Sequence, residues 1–184
     1  MVKKLLYDFV AMVENEQVEV YNEFSLQHEL GIYLREKLPK YKVQFERNAK
    51  FFGISDTLKH EIDVVIYNDT EKYAAALKYP VNGQYPEQMY SFVKDIFFME
   101  QLIKNGFDST YCLTMVKDPK FYSGQKIDGI YAFFRGNTIL CGKVKKPTGN
   151  NEEIIEVSGK HAINWEGNKS QLKYYIVDVN TIRI

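Results

Sequence analysis

Asp63 and Lys78 are the residues in this chain whose types and spacing best suit chemistry. Asp63 sits in the apolar run HEIDVVIYN (His60 to Asn68), and Lys78 in KYAAALKYP (Lys72 to Pro80). Period-two alternation puts Ala74, Ala76 and Lys78 on one face of the second run, and Asp63, Val65 and Tyr67 on one face of the first. A two-residue turn at Asp69-Thr70 then sets Asp63 opposite Ala76, with Cβ atoms about 5 Å apart. An acid at position 76 would complete a device for phosphodiester hydrolysis. Two neighbouring carboxylates bind a hard cation such as Mg²⁺, and the cation activates a water. The lysine orients that water or offsets charge growing on the phosphate. Here the chain carries a methyl group instead.

The elements that must position these residues are legible from periodicity. Leu5, Leu6, Phe9, Val10 and Val13 predict an amphipathic helix over 2–14. A second helix is predicted from Val20 to Leu38, with Val20, Phe24, Leu30, Leu34 and Leu38 as its apolar stripe, ended by Pro39. Strands are expected at 41–47, 61–68 and 72–79. A long helix over 86–105 follows, with Met89, Phe92, Val93, Ile96 and Phe97 on its apolar side and Asn105-Gly106 as its C-cap. Tyr111 to Val116 reads as a strand, as do IYAFFR, TILCGKV, EIIEV, AINW and KYYIVDV beyond it. This order is an α/β sandwich in one domain, not a repeated βαβ wind.

Composition sets the outer bounds. The chain has 184 residues, enough for a substantial core, with 45% apolar and 15% aromatic side chains. Lys plus Arg and Asp plus Glu both number 24, which argues against non-specific coating of nucleic acid but leaves room for a local basic cleft. Cys112 and Cys141, with no signal peptide, read as reduced, packed thiols in a cytoplasmic protein. No apolar run is long enough for a membrane span. His28, His60 and His161 lack metal-ligand spacing, which argues against zinc.

The two runs together resemble the core hairpin of the PD-(D/E)XK nuclease superfamily, the restriction-endonuclease-like fold. NEFSLQHELGIYLREKLP resembles the first helix of that core, YKVQFERN its first strand, and GQYPEQMYSFVKDIFFMEQL the helix after the lysine. The likeness spans roughly residues 20–116, and no motif is assignable in 117–184. It implies a central mixed sheet flanked by helices, with a β-rich C-terminal part. It also implies Asp63 as a ligand to Mg²⁺ or Mn²⁺, the Leu77 carbonyl as another, and Lys78 as the water-orienting base. Position 76 would hold the second catalytic and metal-binding carboxylate, where the family has Glu, or sometimes Asp or Gln. Ala76 then has two explanations: a Glu-to-Ala change that silences an enzyme, or a natural degenerate member that keeps the fold for binding. Asp63 and Lys78 persist on a mostly buried face, where unpaired charge is costly, which favours the first. The superfamily's helical glutamate falls on Glu29, at the edge of the stripe. Glu23, in its middle, is the alternative, and a solvated helix acid stays open for both.

Further candidates surround this centre. Gln84 and Gln88 follow the lysine across a Gly-Pro turn, as substrate contacts or as polar residues of a helix start. Arg135, Lys143, Lys145 and Lys146 could meet phosphate if a hairpin brings Arg135 to KVKK; the alternative is a solvated edge. Glu46 could support the site or form an edge salt bridge, and Lys94 with Asp95 reads as a surface pair. The expected function is a divalent-metal-dependent DNA endonuclease of restriction or phage defence, inactive through Ala76. RNA stays open as substrate. A homodimer would suit cleavage of both strands, though no motif supplies one. The alternative is an inactive nucleic-acid-binding or regulatory module.

Overall fold

The computed structural model describes residues 1–149, 153–167 and 172–180. Helix α1 (Val2–Glu14) buries Val2, Leu6, Phe9 and Val10. Helix α2 (Glu23–Lys37) opens on a capping box, in which Asn22 Oδ1 accepts from Ser25 N at 2.7 Å and Ser25 Oγ accepts from Asn22 N at 3.1 Å. The cap starts the helix later than Val20 and puts Glu23 in its first turn. The buried stripe is Leu26, Leu30, Tyr33 and Leu34, whereas Phe24, expected within it, is 73% exposed. Two helical steps separate Phe24 from Leu26, roughly 200°, so the two cannot share a face.

Strands β1 (Lys42–Asn48), β2 (Glu61–Tyr67) and β3 (Lys72–Lys78) run antiparallel to one another in turn. Helix α3 (Tyr85–Lys104) is the crossover to β4 (Ser109–Val116), which lies parallel to β3. Helix α4 (Tyr131–Arg135), then β5 (Leu140–Lys145) and β6 (Ile154–His161), precede β7 (Lys173–Val179). The mixed five-stranded sheet has the order β1-β2-β3-β4-β7, and β5 and β6 form a separate two-stranded sheet. The final strand therefore returns to the main sheet, antiparallel to β4.

The sheet has helices on both faces. One face packs with α1 and α2 around Leu6, Phe9, Leu30, Val64, Ala75 and Leu113. The other packs with α3 around Val93, Ile96, Ala76, Cys112 and Tyr175. Helix α3 contacts β3, β4 and β7 and also β6 of the small sheet, so its buried residues go nearly all the way round, from Met89 to Leu102. Its end is a Schellman motif, with Gly106 at φ +85° and Phe107 N donating to Leu102 O at 3.1 Å.

Two expected strands are absent. IYAFFR forms α4, a single turn with Phe134 buried, because a short aromatic run cannot be assigned to strand or helix by periodicity alone. AINW is irregular, followed by an isolated bridge between Glu166 and Tyr174. Cys112 is buried, Cys141 is exposed, and neither forms a disulfide. No helix among the described residues is long and apolar enough to cross a membrane.

Candidate active site

The hairpin of β2 and β3 closes by Asn68 N donating to Glu71 O at 3.0 Å, leaving Asp69-Thr70 as its loop. The register pairs Val65 with Ala74 and Val64 with Ala75 and ends there; its continuation by one residue would set Asp63 opposite Ala76. Asp63 Oδ2 accepts from Leu77 N at 2.8 Å, across that step. Ala76 is 2% exposed and its methyl packs in the core on the α3 side. Lys78, two residues on, ends β3.

Asp63 and Lys78 belong to one chain of alternating charges. Lys78 Nζ lies 3.0 Å from Glu23 Oε1 and 3.4 Å from Asp95 Oδ2. Asp95 Oδ1 is 2.7 Å from Lys59 Nζ, which in turn lies 3.9 Å from Asp63 Oδ1. The premise of unpaired charge on this face is thus corrected: both Asp63 and Lys78 have partners. Burial pushes the Asp63 carboxyl up to about 6; Lys59, Lys78 and the Leu77 N–H pull against that rise, and the Asp95 charge adds to it. Burial works against the charge on Lys78 as well. There Asp95, Glu23 and Asp63 outweigh it and hold the ammonium above its ordinary pKa. Lys59 is raised in the same way, with Asp95 and Asp63 overcoming burial.

A cavity of about 270 Å³ opens beside this chain, lined by Glu23, Phe24, Gln27, Glu46, Asp63 and Leu77. At its rim the β1–β2 ladder skips one pair. Strand β1 pairs with β2 at Phe45 with Val64 and again at Arg47 with Ile62, but Glu46, between them, adopts a left-handed φ of 46°. Gln27 bridges the skipped pair: its Nε2 donates to Glu46 Oε1 at 2.6 Å and to the Asp63 main-chain oxygen at 2.7 Å. Gly31 lets α2 come this close, because a Cβ there would lie 1.8 Å from the Phe45 ring.

Of the two candidate glutamates on α2, Glu23 lines this cavity and meets Lys78. Glu29 instead pairs with His28, at 3.2 Å, and does not line the cavity. Its place on α2 is two residues past Gln27, which turns it to another side of the helix. Gln84 caps α3 and is exposed, Gln88 is half-buried, and neither lines the cavity. Arg135 ends a helix and not a strand, and its guanidinium donates to the Lys120 and Lys126 carbonyls, so no hairpin joins it to KVKK. Lys143 and Lys145 are exposed on β5, while Lys146 lies 3.9 Å from Glu153.

Asp95, Lys59 and Gln27 are site residues that the sequence reading missed. Asp95 had a signal. It falls between Phe92, Val93 and Ile96 on the buried stripe of α3, and an acid there demands a partner. Its side chain is 3% exposed, not part of a surface pair. Lys59 and Gln27 stand in no pattern that would mark them.

As ligands for a divalent ion, these donors fall short. Asp63 is engaged by the Leu77 N–H and Lys59, the Leu77 carbonyl accepts from Lys78 Nζ at 3.0 Å, and Ala76 brings no oxygen. Among the described residues no group of three or more His, Cys, Asp or Glu side chains could hold a metal ion. Mg²⁺ or Mn²⁺ does not fit the chain with alanine at position 76. Comparison with family models, with curated proteins and with solved structures finds no match to this chain.

Proposed function

We propose that this chain is a DNA endonuclease of the PD-(D/E)XK kind, of restriction or phage defence, silenced at Ala76. One observation carries the reading. Asp63, Ala76 and Lys78 fall on one face of the β2–β3 hairpin by its period of two, Asp63 lines the cavity, and a glutamate from α2, Glu23, meets the lysine. The residue types suit phosphodiester chemistry, but Ala76 brings no oxygen, and Asp63 and the Leu77 carbonyl are engaged by Lys59, the Leu77 N–H and Lys78. The residues present can hold Lys78 charged and fixed between Glu23 and Asp95, ready to face a phosphate oxygen. They supply no second carboxylate, so the chain itself is expected not to cut.

Ala76→Glu tests this. The variant should cleave phage, plasmid or synthetic DNA at saturating Mg²⁺ or Mn²⁺, at least about 10²-fold faster than the present chain, the scale of one well-placed stabilising group. Adding Lys78→Ala should remove the gain. A folded Ala76→Glu protein that binds DNA and leaves every DNA and RNA intact would sink the nuclease reading. One observation favours the second reading, a nucleic-acid-binding or regulatory module: the ion-pair chain from Glu23 to Asp63 is complete without a metal. That module would bind in a salt-dependent way with alanine or glutamate at position 76 alike.

A further inference from the structure

Lys59 lies in the loop before β2 and is anchored there on several sides. Thr57 Oγ1 donates to the Lys59 carbonyl at 2.6 Å, and Leu58 N donates to Gln101 Oε1 on α3 at 2.8 Å. The Lys59 ammonium stands 6.0 Å from the centroid of the Phe98 ring. From this position it reaches carboxylates on two different elements, Asp95 on α3 at 2.7 Å and Asp63 on β2 at 3.9 Å. The second oxygen of Asp95 faces Lys78 at 3.4 Å. Without Lys59, Asp63 would lose the closest side-chain cation to it, in a position where its carboxylate is only 14% exposed. Neutralising converging, poorly solvated carboxylates is the work that a bound cation does in a hydrolytic centre.

We propose that Lys59 is the built-in cation of this centre: its ammonium joins Asp63 to Asp95 in place of a divalent ion, which the residues present do not fit. The proposal rests on the reading of Asp63 as the carboxylate that a divalent ion would use. It goes further, because it says that restoring an acid at position 76 leaves a competitor in place. The ammonium is tethered, so it acts at a high effective concentration that only a large excess of metal overcomes.

The test titrates Mn²⁺ into metal-free, full-length protein and follows the spectrum of free aqueous Mn²⁺ by electron paramagnetic resonance. Four proteins are compared: the present chain, Ala76→Glu, Ala76→Glu with Lys59→Met, and Ala76→Glu with Lys59→Arg. Methionine keeps an unbranched stem near Phe98 and removes the charge. The Met variant should bind Mn²⁺ at least about tenfold more tightly than Ala76→Glu alone, the scale of one close charge pair lost. The Arg variant should stay as weak as its parent. Equal affinity in the Met and Arg variants overturns the role of Lys59 and leaves Asp63 as a ligand. No Mn²⁺ uptake by any variant, each retaining its cooperative unfolding, overturns both this proposal and the reading beneath it.

Should the Met variant not fold, Ala76→Glu alone carries the test through reductive methylation of its lysines, read by mass spectrometry. Saturating Mn²⁺ should raise labelling of Lys59 several-fold and leave the exposed Lys50 unchanged. Lys59 labelling that does not respond while Mn²⁺ binds overturns the proposal.

Discussion

Glu100, buried on the β6 side of α3, and Asp63, half-buried at the start of β2, are both carboxylates drawn out of water, and their surroundings pull in opposite directions. Glu100 Oε2 accepts from Ser158 N at 2.9 Å, and Oε1 accepts from Gly159 N at 2.6 Å and His161 Nε2 at 2.9 Å. Burial pushes this acid up, but the His161 and backbone donors outweigh it and hold the carboxyl below its ordinary range. Gly159 makes room for the arrangement, since a Cβ there would lie 2.8 Å from Glu100 Oε1 and 2.5 Å from His161 Nε2. Asp63 has one backbone donor and a lysine at 3.9 Å, and its carboxyl rises to about 6. Glu100 is a strut that stabilises the fold. Asp63 carries a charge that costs folding energy, and such charges collect where a site needs them.

The largest effect should come from removing the strut. Glu100→Ala leaves buried donors on β6 unmatched and should cost about 3–5 kcal/mol in urea unfolding. Glu100→Gln should cost about 1–3 kcal/mol, because its NH₂ group must face a donating backbone N–H. The folded pKa of Glu100 is lowered, so its contribution is present above the unfolded value, about 4.3, and is lost as pH falls through the folded one. A loss within about 0.5 kcal/mol, the range of surface sites, would erase the contrast between the two acids.

The sequence carried most of the hairpin and little of the charge network. Asp63, Ala76 and Lys78 are local, and a period of two with a two-residue turn decides their register. The helices were legible too, since α3 has a proline near its start and Asn-Gly at its end. The network runs through space: Glu23, Lys59 and Asp95 come from a helix start, a loop and a helix middle, and only the packed fold brings them to the hairpin. Glu29 ranks above Glu23 from the sequence because it sits at the edge of an apolar stripe drawn through Phe24; Phe24 is exposed, so that stripe lies on the wrong side of the helix. The Asn22–Ser25 capping box is local too, and it marks the start of this helix at Glu23 and not Val20. IYAFFR failed for a different reason, as so short an apolar run has no period to read.

Next in size is the cost of Asp63 itself. Its folded pKa, about 6, lies above the unfolded value near 3.9. Below about pH 4 both states are protonated and the residue costs nothing. Between about pH 4 and pH 6 the unfolded chain ionises first, so stability falls as pH rises, and above that range the whole cost is present. Asp63→Asn keeps an acceptor for the Leu77 N–H and should therefore stabilise the protein by about 1–3 kcal/mol at pH 8 and by almost nothing at pH 4. Urea unfolding at the two values measures it. A variant that is less stable at pH 8 would show that Asp63 is a strut like Glu100.

The smallest effect concerns Glu46, whose left-handed backbone stands where the β1–β2 ladder skips a pair beside the site. A φ of 46° crowds the Cβ of any residue but glycine, at a cost of about 1–2 kcal/mol. The Glu46 side chain offsets part of this by accepting from Gln27, whose same nitrogen holds the Asp63 carbonyl. Glu46→Ala keeps the strain and loses the acceptor, so it should destabilise. Glu46→Gly loses the acceptor too but relieves the strain, and the freedom glycine adds to the unfolded chain takes back only about 0.5–1 kcal/mol. Glycine should therefore be more stable than alanine here by about 1 kcal/mol or slightly less. Function should move the other way. In the Ala76→Glu background, Glu46→Gly frees Gln27 from one of its two acceptors and loosens its hold on Asp63, so cleavage should fall while stability exceeds that of Glu46→Ala. Equal stability of the Gly and Ala variants would mean that Glu46 stores no strain, and the skipped pair beside Asp63 would then have to come from the packing of Phe45 on Gly31.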